Sequence, residues 1–310
     1  MDFTAELCAD LMPELKGLDL EIHELKGGIT NRLYRVVSPA GHDYVFRLYG
    51  AKTELFINRD VEMENLRRLE PFRVTPRLVR YLPEQSLTVV EFIPGTVLKN
   101  HDFLREDLWE RIIRPIKLIH QSGAQLPYSF DPLIEVKRFY GILEGINRRY
   151  PEFDIPGTIQ VLEKISSIAS IPPSRYVPCH NDLLADNFIL TEPGHRFQES
   201  MFLIDWEYGG MAPPCYDIAD MFQEILVPRE VERSLLKVYW EDKDLDSHQY
   251  MTDLFKPFPD ICWFLWSLIQ LNISAIPFDY YNYGKVKFDN AMRNIDYLRN
   301  RYGVKVSDQK

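Results

Sequence analysis

The residues best suited to chemistry lie in two short segments, 179–190 and 203–208. The first holds Asp182 and, five positions later, Asn187; the second holds Asp205 directly after an apolar run. Phosphoryl transfer from ATP needs a carboxylate that accepts the hydroxyl proton, and oxygen ligands that hold Mg²⁺ against the phosphates. Each residue alone also fits a turn or a helix cap. The joint pattern predicts a kinase-type site with these three residues as its catalytic groups.

Two short apolar runs, 188–190 and 202–204, flank these residues and are typical of strands. If the runs pair as a hairpin, the first residue of one strand faces the last of the other. Asn187 and Asp205 then meet at one end, where an amide oxygen and a carboxylate form a Mg²⁺ site. Asp182, in the loop before them, is predicted to orient the acceptor hydroxyl and take its proton.

A cation for the phosphates is predicted at Arg47, which lies in an apolar strand-like segment, 45–49. Arginine binds phosphate oxygens bidentately, and Glu62 on the following helical segment is a plausible partner to hold it. The alternative is a surface ion pair of little energetic weight. The catalytic loop elsewhere in the chain favours the phosphate-binding role.

A glycine-containing turn, 27–31, separates two strand-like runs and includes Gly28, Thr30 and Asn31. Glycine lets the backbone approach a phosphate closely, although paired glycines are also common in hairpin turns. This turn is therefore a weaker candidate for nucleotide binding than Arg47.

Aromatic residues are concentrated in the C-terminal part, where Trp263 and Trp266 are three residues apart and share a helix face. Tyr283 follows them, and Tyr208 and the acidic Glu224 precede them. Ring faces attract quaternary ammonium ions. Core packing is the ordinary explanation for tryptophans at this spacing, so the pattern alone leaves both roles open.

The predicted strands and helices that hold these residues divide the chain into two parts. Five strand-like runs (20–25, 32–37, 44–49, 77–81 and 87–92), a helical segment at 58–69 and an opening helix at 4–15 come first. Residues 93–95 indicate a hinge, and helical periodicity dominates afterwards, with a kink expected at Pro115. The prediction is an α+β, bilobal protein. In the β-rich lobe, 1–93, the five strands form an antiparallel sheet with one helix; a larger helical lobe, 94–310, follows, and a cleft between the lobes suits a nucleotide.

Composition limits the partners. The formal net charge of −10 argues against nucleic acid and anionic membranes as partners and does not oppose a cationic substrate. Four dispersed cysteines favour a reducing compartment. The acidic N-terminus does not resemble a signal peptide, and no apolar run reaches the roughly 20 residues of a membrane span, so we expect a cytoplasmic protein without membrane insertion. The oligomeric state stays open.

Several segments together resemble the choline/ethanolamine kinase family, which shares the protein-kinase-like fold of the aminoglycoside phosphotransferases. The resemblance rests on 25–34, 46–50, 179–182, 203–208, 263–270 and 273–283. It spans about residues 20 to 290 and is weakest at 100–175. The catalytic motif is shared by related small-molecule kinases, whereas the Trp-x-x-Trp helix with downstream tyrosines is more specific to choline kinases.

The resemblance implies a role for each matching residue. Asp182 is the base, Asn187 and Asp205 bind Mg²⁺, and Arg47 contacts the ATP phosphates and pairs with Glu62. Hinge backbone from Glu91 to Ile93 receives the adenine, and Asp217 holds the backbone of the catalytic loop. A cage for the ammonium head consists of Tyr208, Glu224, Trp263, Trp266 and Tyr283.

The prediction is an ATP- and Mg²⁺-dependent choline kinase, with ethanolamine or another amino alcohol or aminoglycoside as the alternative acceptor. Two departures keep that alternative open. Animal choline kinases carry a glutamine where this chain has Leu184, and an aromatic residue soon after the Glu224 position, where this chain has 227–229, Val-Pro-Arg. A binding protein without catalysis is disfavoured because the base, the metal ligands and the arginine are all present.

Overall fold

The computed structural model describes residues 3–25, 31–50, 52–191, 201–241 and 244–305. The N-terminal part is a five-stranded antiparallel sheet, as the sequence predicts. Its strands are β1 (Glu21–Leu25), β2 (Asn31–Val37), β3 (Asp43–Tyr49), β4 (Leu78–Leu82) and β5 (Leu87–Glu91), in the spatial order β1-β2-β3-β5-β4. In this register Arg47, near the end of β3, lies opposite Leu33 on one side and Thr88 on the other.

Two helices accompany the sheet. The opening helix, α1 (Ala5–Leu11), is shorter than the predicted 4–15, because the Pro13 ring cannot continue a helix interior and a short 3₁₀ turn follows. Thr4 caps α1, its hydroxyl accepting from the Leu7 amide. The second helix, α2 (Arg59–Leu69), matches the prediction and is capped by Asn58, which fixes where Glu62 stands.

After the hinge the chain adds two small sheets. One contains β6 (Gly95–Val97), β8 (Phe188–Thr191) and β9 (Met201–Leu203), in the order β6-β8-β9; the other pairs β7 (Val177–Cys179) with β10 (Gly210–Ala212). The predicted hairpin is confirmed, since β8 and β9 pair with Phe188 opposite Leu203.

The remainder is helical: α3 (Trp109–His120), α4 (Pro132–Gly145), α5 (Ile155–Ala169), α6 (Pro214–Ile225), α7 (Arg229–Trp240), α8 (Leu245–Phe255), α9 (Pro257–Ile273) and α10 (Tyr280–Tyr302). Helix α3 continues through Pro115 to His120. Helix α9 is buried along nearly its whole length, and α10 packs beside it. A side chain at Gly284 would collide with Ser267, so glycine there allows the close approach that places Tyr283 and Lys287 against α9.

Apolar packing joins the two parts. One core cluster contains Met63 and Leu66 of α2 together with Ile112 and Ile116 of α3 and Phe188 of β8. The fold is thus a mixed α and β structure with the sheet first and the helices after, confirming the predicted class. No helix in the described part of the chain has the length and apolar character needed to cross a membrane.

Candidate active site

The loop between β7 and β8 carries the predicted base and is held from two sides. The Asp217 carboxylate, on α6, accepts hydrogen bonds from the backbone N–H groups of His180 (3.0 Å) and Asn181 (2.7 Å). Asn181 has a left-handed backbone (φ 66°), and its side-chain amide donates to the Tyr208 carbonyl at 3.0 Å. Burial opposes the charge of Asp217, but hydrogen bonding and charge from His120 outweigh it and lower the pKa of Asp217. The Asp217 carboxylate therefore holds the loop backbone through two hydrogen bonds, in agreement with the role that the resemblance implied.

The structure brings Asp182, Asn187 and Asp205 together. The side-chain amide N–H of Asn187 donates to the Asp182 backbone carbonyl at 2.8 Å. The backbone N–H of Ile204 donates to the Asn187 backbone carbonyl at 3.0 Å. Asp205 follows directly, in a left-handed conformation with φ 67°. Because the Asn187 nitrogen is used inside the loop, its side-chain oxygen is the atom that can bind a cation, beside the Asp205 carboxylate. This oxygen pair fits Mg²⁺.

Asp182 is 8% exposed and lies in an acidic environment. Burial raises its pKa well above the usual value, and the charges of Asp220, Glu224 and Asp205 raise it further. A carboxylate with a raised pKa is a stronger base, which suits proton removal from a hydroxyl.

Arg47 also lies where the sequence predicts, and it bridges the two parts of the chain. Its guanidinium donates to Glu62 at 2.6 Å and to Asp205 at 2.5 Å, and Glu207 lies 3.8 Å away. Burial opposes the charge of Arg47, but these carboxylates outweigh burial and raise its pKa. The cation is thus held beside the proposed metal ligand, where ATP phosphates would lie.

Arg59 and Glu207 belong to the same network, and sequence reasoning missed both. Arg59 pairs with Glu62 at 2.7 Å and with Glu207 at 3.0 Å, and its guanidinium stacks on the Tyr49 ring at 4.2 Å. The i,i+3 spacing of Arg59 and Glu62 at the start of α2 was the available signal. The arginines and carboxylates therefore form one buried, hydrogen-bonded group.

The predicted adenine site lies where the first sheet leads into the second. The Glu91 N–H donates to the Arg77 carbonyl, tying the end of β5 to the segment before β4. Ile93 is buried in an apolar cluster with Ile189, Phe202 and Ile204. Asn31, the last residue of the predicted phosphate turn, starts β2, and its side-chain oxygen accepts a hydrogen bond from Arg59 at 3.3 Å. The predicted phosphate-turn residues Gly28 and Thr30 lie outside the described residues.

The predicted aromatic cage residues form a chain of edge-to-face contacts. Ring centroids are 5.0 Å apart for Tyr208 and Trp263, 6.5 Å for Trp263 and Trp266, and 6.2 Å for Trp266 and Tyr283. Tyr280 adds a contact of 5.9 Å to Trp266. Trp263 and Trp266 are buried in a large apolar cluster, and Trp263 contacts Tyr208 in the turn that follows Asp205. The contacts show core packing, and the ammonium-binding role stays a prediction.

Carboxylates surround this aromatic group. Asp220 accepts from the Leu183 N–H at 2.6 Å and from the Trp263 indole N–H at 3.0 Å, so it ties the catalytic loop to the cage. Glu224 pairs with Lys287 at 2.6 Å, and Asp260 lies 4.0 Å from the same ammonium. Asp220, Asp260 and Lys287 were missed in the sequence. Helical spacing gave a signal for two of them, because Asp220 precedes Glu224, and Lys287 follows Tyr283, by one turn.

Comparisons with known proteins agree with this geometry. The family model described as choline/ethanolamine kinase matches residues 22–250. Ethanolamine kinase 1 of Mus musculus is 29% identical over 94% of this chain and 88% of its own length. The probable ethanolamine kinase of Arabidopsis thaliana is 26% identical over 92% of this chain and 83% of its own length.

Solved structures share the fold. The choline kinase LicA from Streptococcus pneumoniae superposes with a TM-score of 0.79 at 24% identity, covering 94% of this chain and 98% of that one. LicA has also been solved in complex with AMP. A spectinomycin phosphotransferase, APH(9)-Ia, gives a TM-score of 0.62 at 17% identity over 95% of this chain and 99% of that one.

Proposed function

Because the chain belongs to the choline/ethanolamine kinase family, whose members transfer phosphoryl groups to an alcohol, we propose that it uses ATP to phosphorylate the hydroxyl of a small amino alcohol, with ethanolamine ahead of choline. The observation that carries the proposal is the position of Asp182. This buried base stands between an arginine–carboxylate network suited to phosphates and an acidic aromatic pocket suited to an ammonium ion.

On the nucleotide side, Arg47 contacts the phosphates while Glu62 holds its guanidinium in place. The adenine lies near Glu91 and Ile93, and the phosphate-binding role of Gly28, Thr30 and Asn31 is carried over from the sequence. Asn187 and Asp205 supply oxygen ligands to Mg²⁺, which when bound neutralises charge on the phosphates. The Arg47–Asp205 contact supports this arrangement, since it places cation and metal ligand side by side.

In the reaction, the hydroxyl oxygen of the amino alcohol attacks the γ-phosphorus of ATP. The bond from that phosphorus to the bridging oxygen breaks, and ADP leaves. The hydroxyl proton passes to the Asp182 carboxylate, whose basicity is increased by burial and by its acidic neighbours. Asp217 keeps the loop backbone, and with it Asp182, in position.

The ammonium head occupies the other side of Asp182, near Tyr208, Trp263, Trp266 and Tyr283. Two facts favour ethanolamine. Curated relatives from mouse, human and plant are named ethanolamine kinases, and Leu184 stands where animal choline kinases carry glutamine. Choline is the second candidate, because the ring faces would bind its trimethylammonium group.

A substrate panel tests the proposal. Wild-type protein with MgATP is assayed for ADP release with ethanolamine, choline, thiamine and an aminoglycoside, and the phosphorylated product is identified by ³¹P NMR. We expect turnover with ethanolamine and, at lower kcat/KM, with choline. Turnover of the aminoglycoside alone would contradict the proposal, and a higher kcat/KM for choline would reverse the order of the two amines.

A further inference from the structure

Lys287 lies at the boundary between α10 and the amine pocket and is 5% exposed. Its ammonium donates to a Glu224 carboxylate oxygen at 2.6 Å and to the Gln223 carbonyl at 2.9 Å. Asp260 is 4.0 Å away, and the Tyr283 ring centroid is 5.7 Å away. The chain thus inserts an ammonium of its own among the acidic and aromatic groups proposed to recognise the substrate ammonium.

The side chain of Glu224 is buried, and its charge acts on Asp182 and on the pocket residues Asp220 and Tyr283. Its side chain is 4% exposed, and its charge contributes to the raised pKa values of Asp182, Asp220 and Tyr283. An unpaired carboxylate here would accept charge-assisted hydrogen bonds from a primary ammonium. A trimethylammonium group has no N–H to donate and gains mainly from ring faces. The state of Glu224 therefore bears directly on amine selectivity.

We propose that Lys287 is a specificity-determining residue: by binding Glu224, its ammonium removes that carboxylate from the substrate and leaves the incoming amine to the rings of Trp266 and Tyr283. This inference rests on the proposed function. The enzyme consequently discriminates less between primary and quaternary ammonium ions than an open carboxylate would allow. Lys287 acts through Glu224 and does not touch the reacting atoms.

The test is Lys287→Met, read as the ratio of kcat/KM for ethanolamine to kcat/KM for choline. Removing the ammonium frees Glu224, and the ratio is expected to rise about tenfold or more, the factor that one charge-assisted hydrogen bond supplies. Lys285→Met is the matched control, because Lys285 lies on the same helix and pairs with Asp289 at the surface. Its ratio stays at the wild-type value.

Two further variants keep the test decisive. In Glu224→Gln, the charge of Lys287 is no longer balanced by its partner, so KM rises for both amines while their ratio stays within about twofold of wild type. In the double variant Glu224→Gln/Lys287→Met the ratio also returns to within about twofold of wild type. Circular dichroism and thermal melts establish that each variant is folded, and Glu224→Gln alone carries the test if Lys287→Met does not fold.

Three results would overturn the inference: an unchanged ratio in folded Lys287→Met, a raised ratio that persists in the double variant, or a selective loss of ethanolamine activity in Glu224→Gln. The last would mean that Glu224 binds the substrate ammonium directly. Failure of the proposed function is a separate outcome, because wild-type protein would then turn over neither amine.

Discussion

The two sides of Asp182 contain similar numbers of acidic residues but differ in how many cations pair with them. The phosphate side, as we call the network of Arg47, Arg59, Glu62, Asp205 and Glu207, sets two arginines against three carboxylates, all joined by ion pairs of 2.5–3.8 Å. The amine side, comprising Asp220, Glu224, Asp260 and Lys287, sets three carboxylates against one ammonium, which in the described part of the chain pairs with Glu224 at 2.6 Å and lies 4.0 Å from Asp260. One side is nearly balanced and the other has a surplus of negative charge.

This difference in charge agrees with the ligand proposed for each side. The ion pairs on the phosphate side fix the Arg47 guanidinium in advance of ligand. One acid of this side still resists ionisation, since burial and the neighbouring Asp205 charge raise the pKa of Glu207 to about 8. On the amine side burial raises the pKa of Asp220 and of Asp260, so these groups hold protons more readily than free aspartate. A cationic substrate would supply the missing positive charge. Nearly balanced charges on the phosphate side therefore suit an arginine that is fixed before ATP binds. The surplus of carboxylates on the amine side suits recognition of a cation.

Asp182 lies between the two sides, and its substitution should have the largest effect on turnover. Asp182→Asn keeps the side-chain volume but removes the base, so kcat is expected to fall by about 10² or more while ATP still binds. Steady-state ADP release and calorimetric titration with ATP measure the two quantities. Asp186→Asn is the nearby control, since Asp186 is exposed and pairs with Lys99. Wild-type turnover in folded Asp182→Asn would refute the assignment of the base.

Breaking the balanced side should cost stability as well as nucleotide binding. Arg47→Met removes the 2.6 Å partner of Glu62, which keeps Arg59 at 2.7 Å, and the 2.5 Å partner of Asp205. We expect a loss of about 3 kcal/mol of unfolding free energy and a higher KM for ATP. Urea denaturation and steady-state kinetics check this. Arg32→Met, on the adjacent strand, removes an exposed ion pair with Glu24 and a contact with the Tyr34 ring, and should lower stability far less than Arg47→Met. Equal losses in the two variants would contradict the preorganised network.

The aromatic rings next to the amine side should give a smaller effect, confined to the amine substrate. Trp266→Leu removes the ring that contacts Trp263 and Tyr283, and KM for choline should rise about tenfold with little change in KM for ATP. Trp240→Leu is the control, because that ring stacks on His248 away from the pocket. An unchanged KM for choline in Trp266→Leu would mean that the rings serve packing alone.

The charge surplus itself predicts a pH dependence, and choline is the suitable probe because its charge does not titrate. As pH falls through the raised pKa values of Asp220 and Asp260, protonation removes negative charge, so KM for choline should rise roughly fivefold. The unliganded protein should show the opposite trend in stability: the contribution of these carboxyls is full below the ordinary aspartate pKa and is lost as pH rises through the folded-state values. Asp260→Asn should flatten both profiles, whereas the surface change Asp296→Asn should leave them unaltered.

Much of this organisation was predictable from local patterns. Alternating strands, the capped helix at Asn58 and the β8–β9 hairpin follow from spacing and turn residues, so the sheet and the junction of Asn187 with Asp205 were foreseen. The early end of α1 was missed because the pattern was extended through Pro13. The partners of the predicted residues were harder to find, since Arg59 and Lys287 look like ordinary surface cations in the sequence.

The types and spacing of Asp182, Asn187 and Asp205, within a short stretch of chain, were enough to predict phosphoryl transfer to a hydroxyl. The distribution of charge around these residues depends instead on the fold. Arg47 meets Asp205 across 158 residues, and Lys287 meets Glu224 across 63. Whether a buried carboxylate is neutralised depends on which cation the packing brings within a few ångströms, and periodicity along the chain carries no information on that.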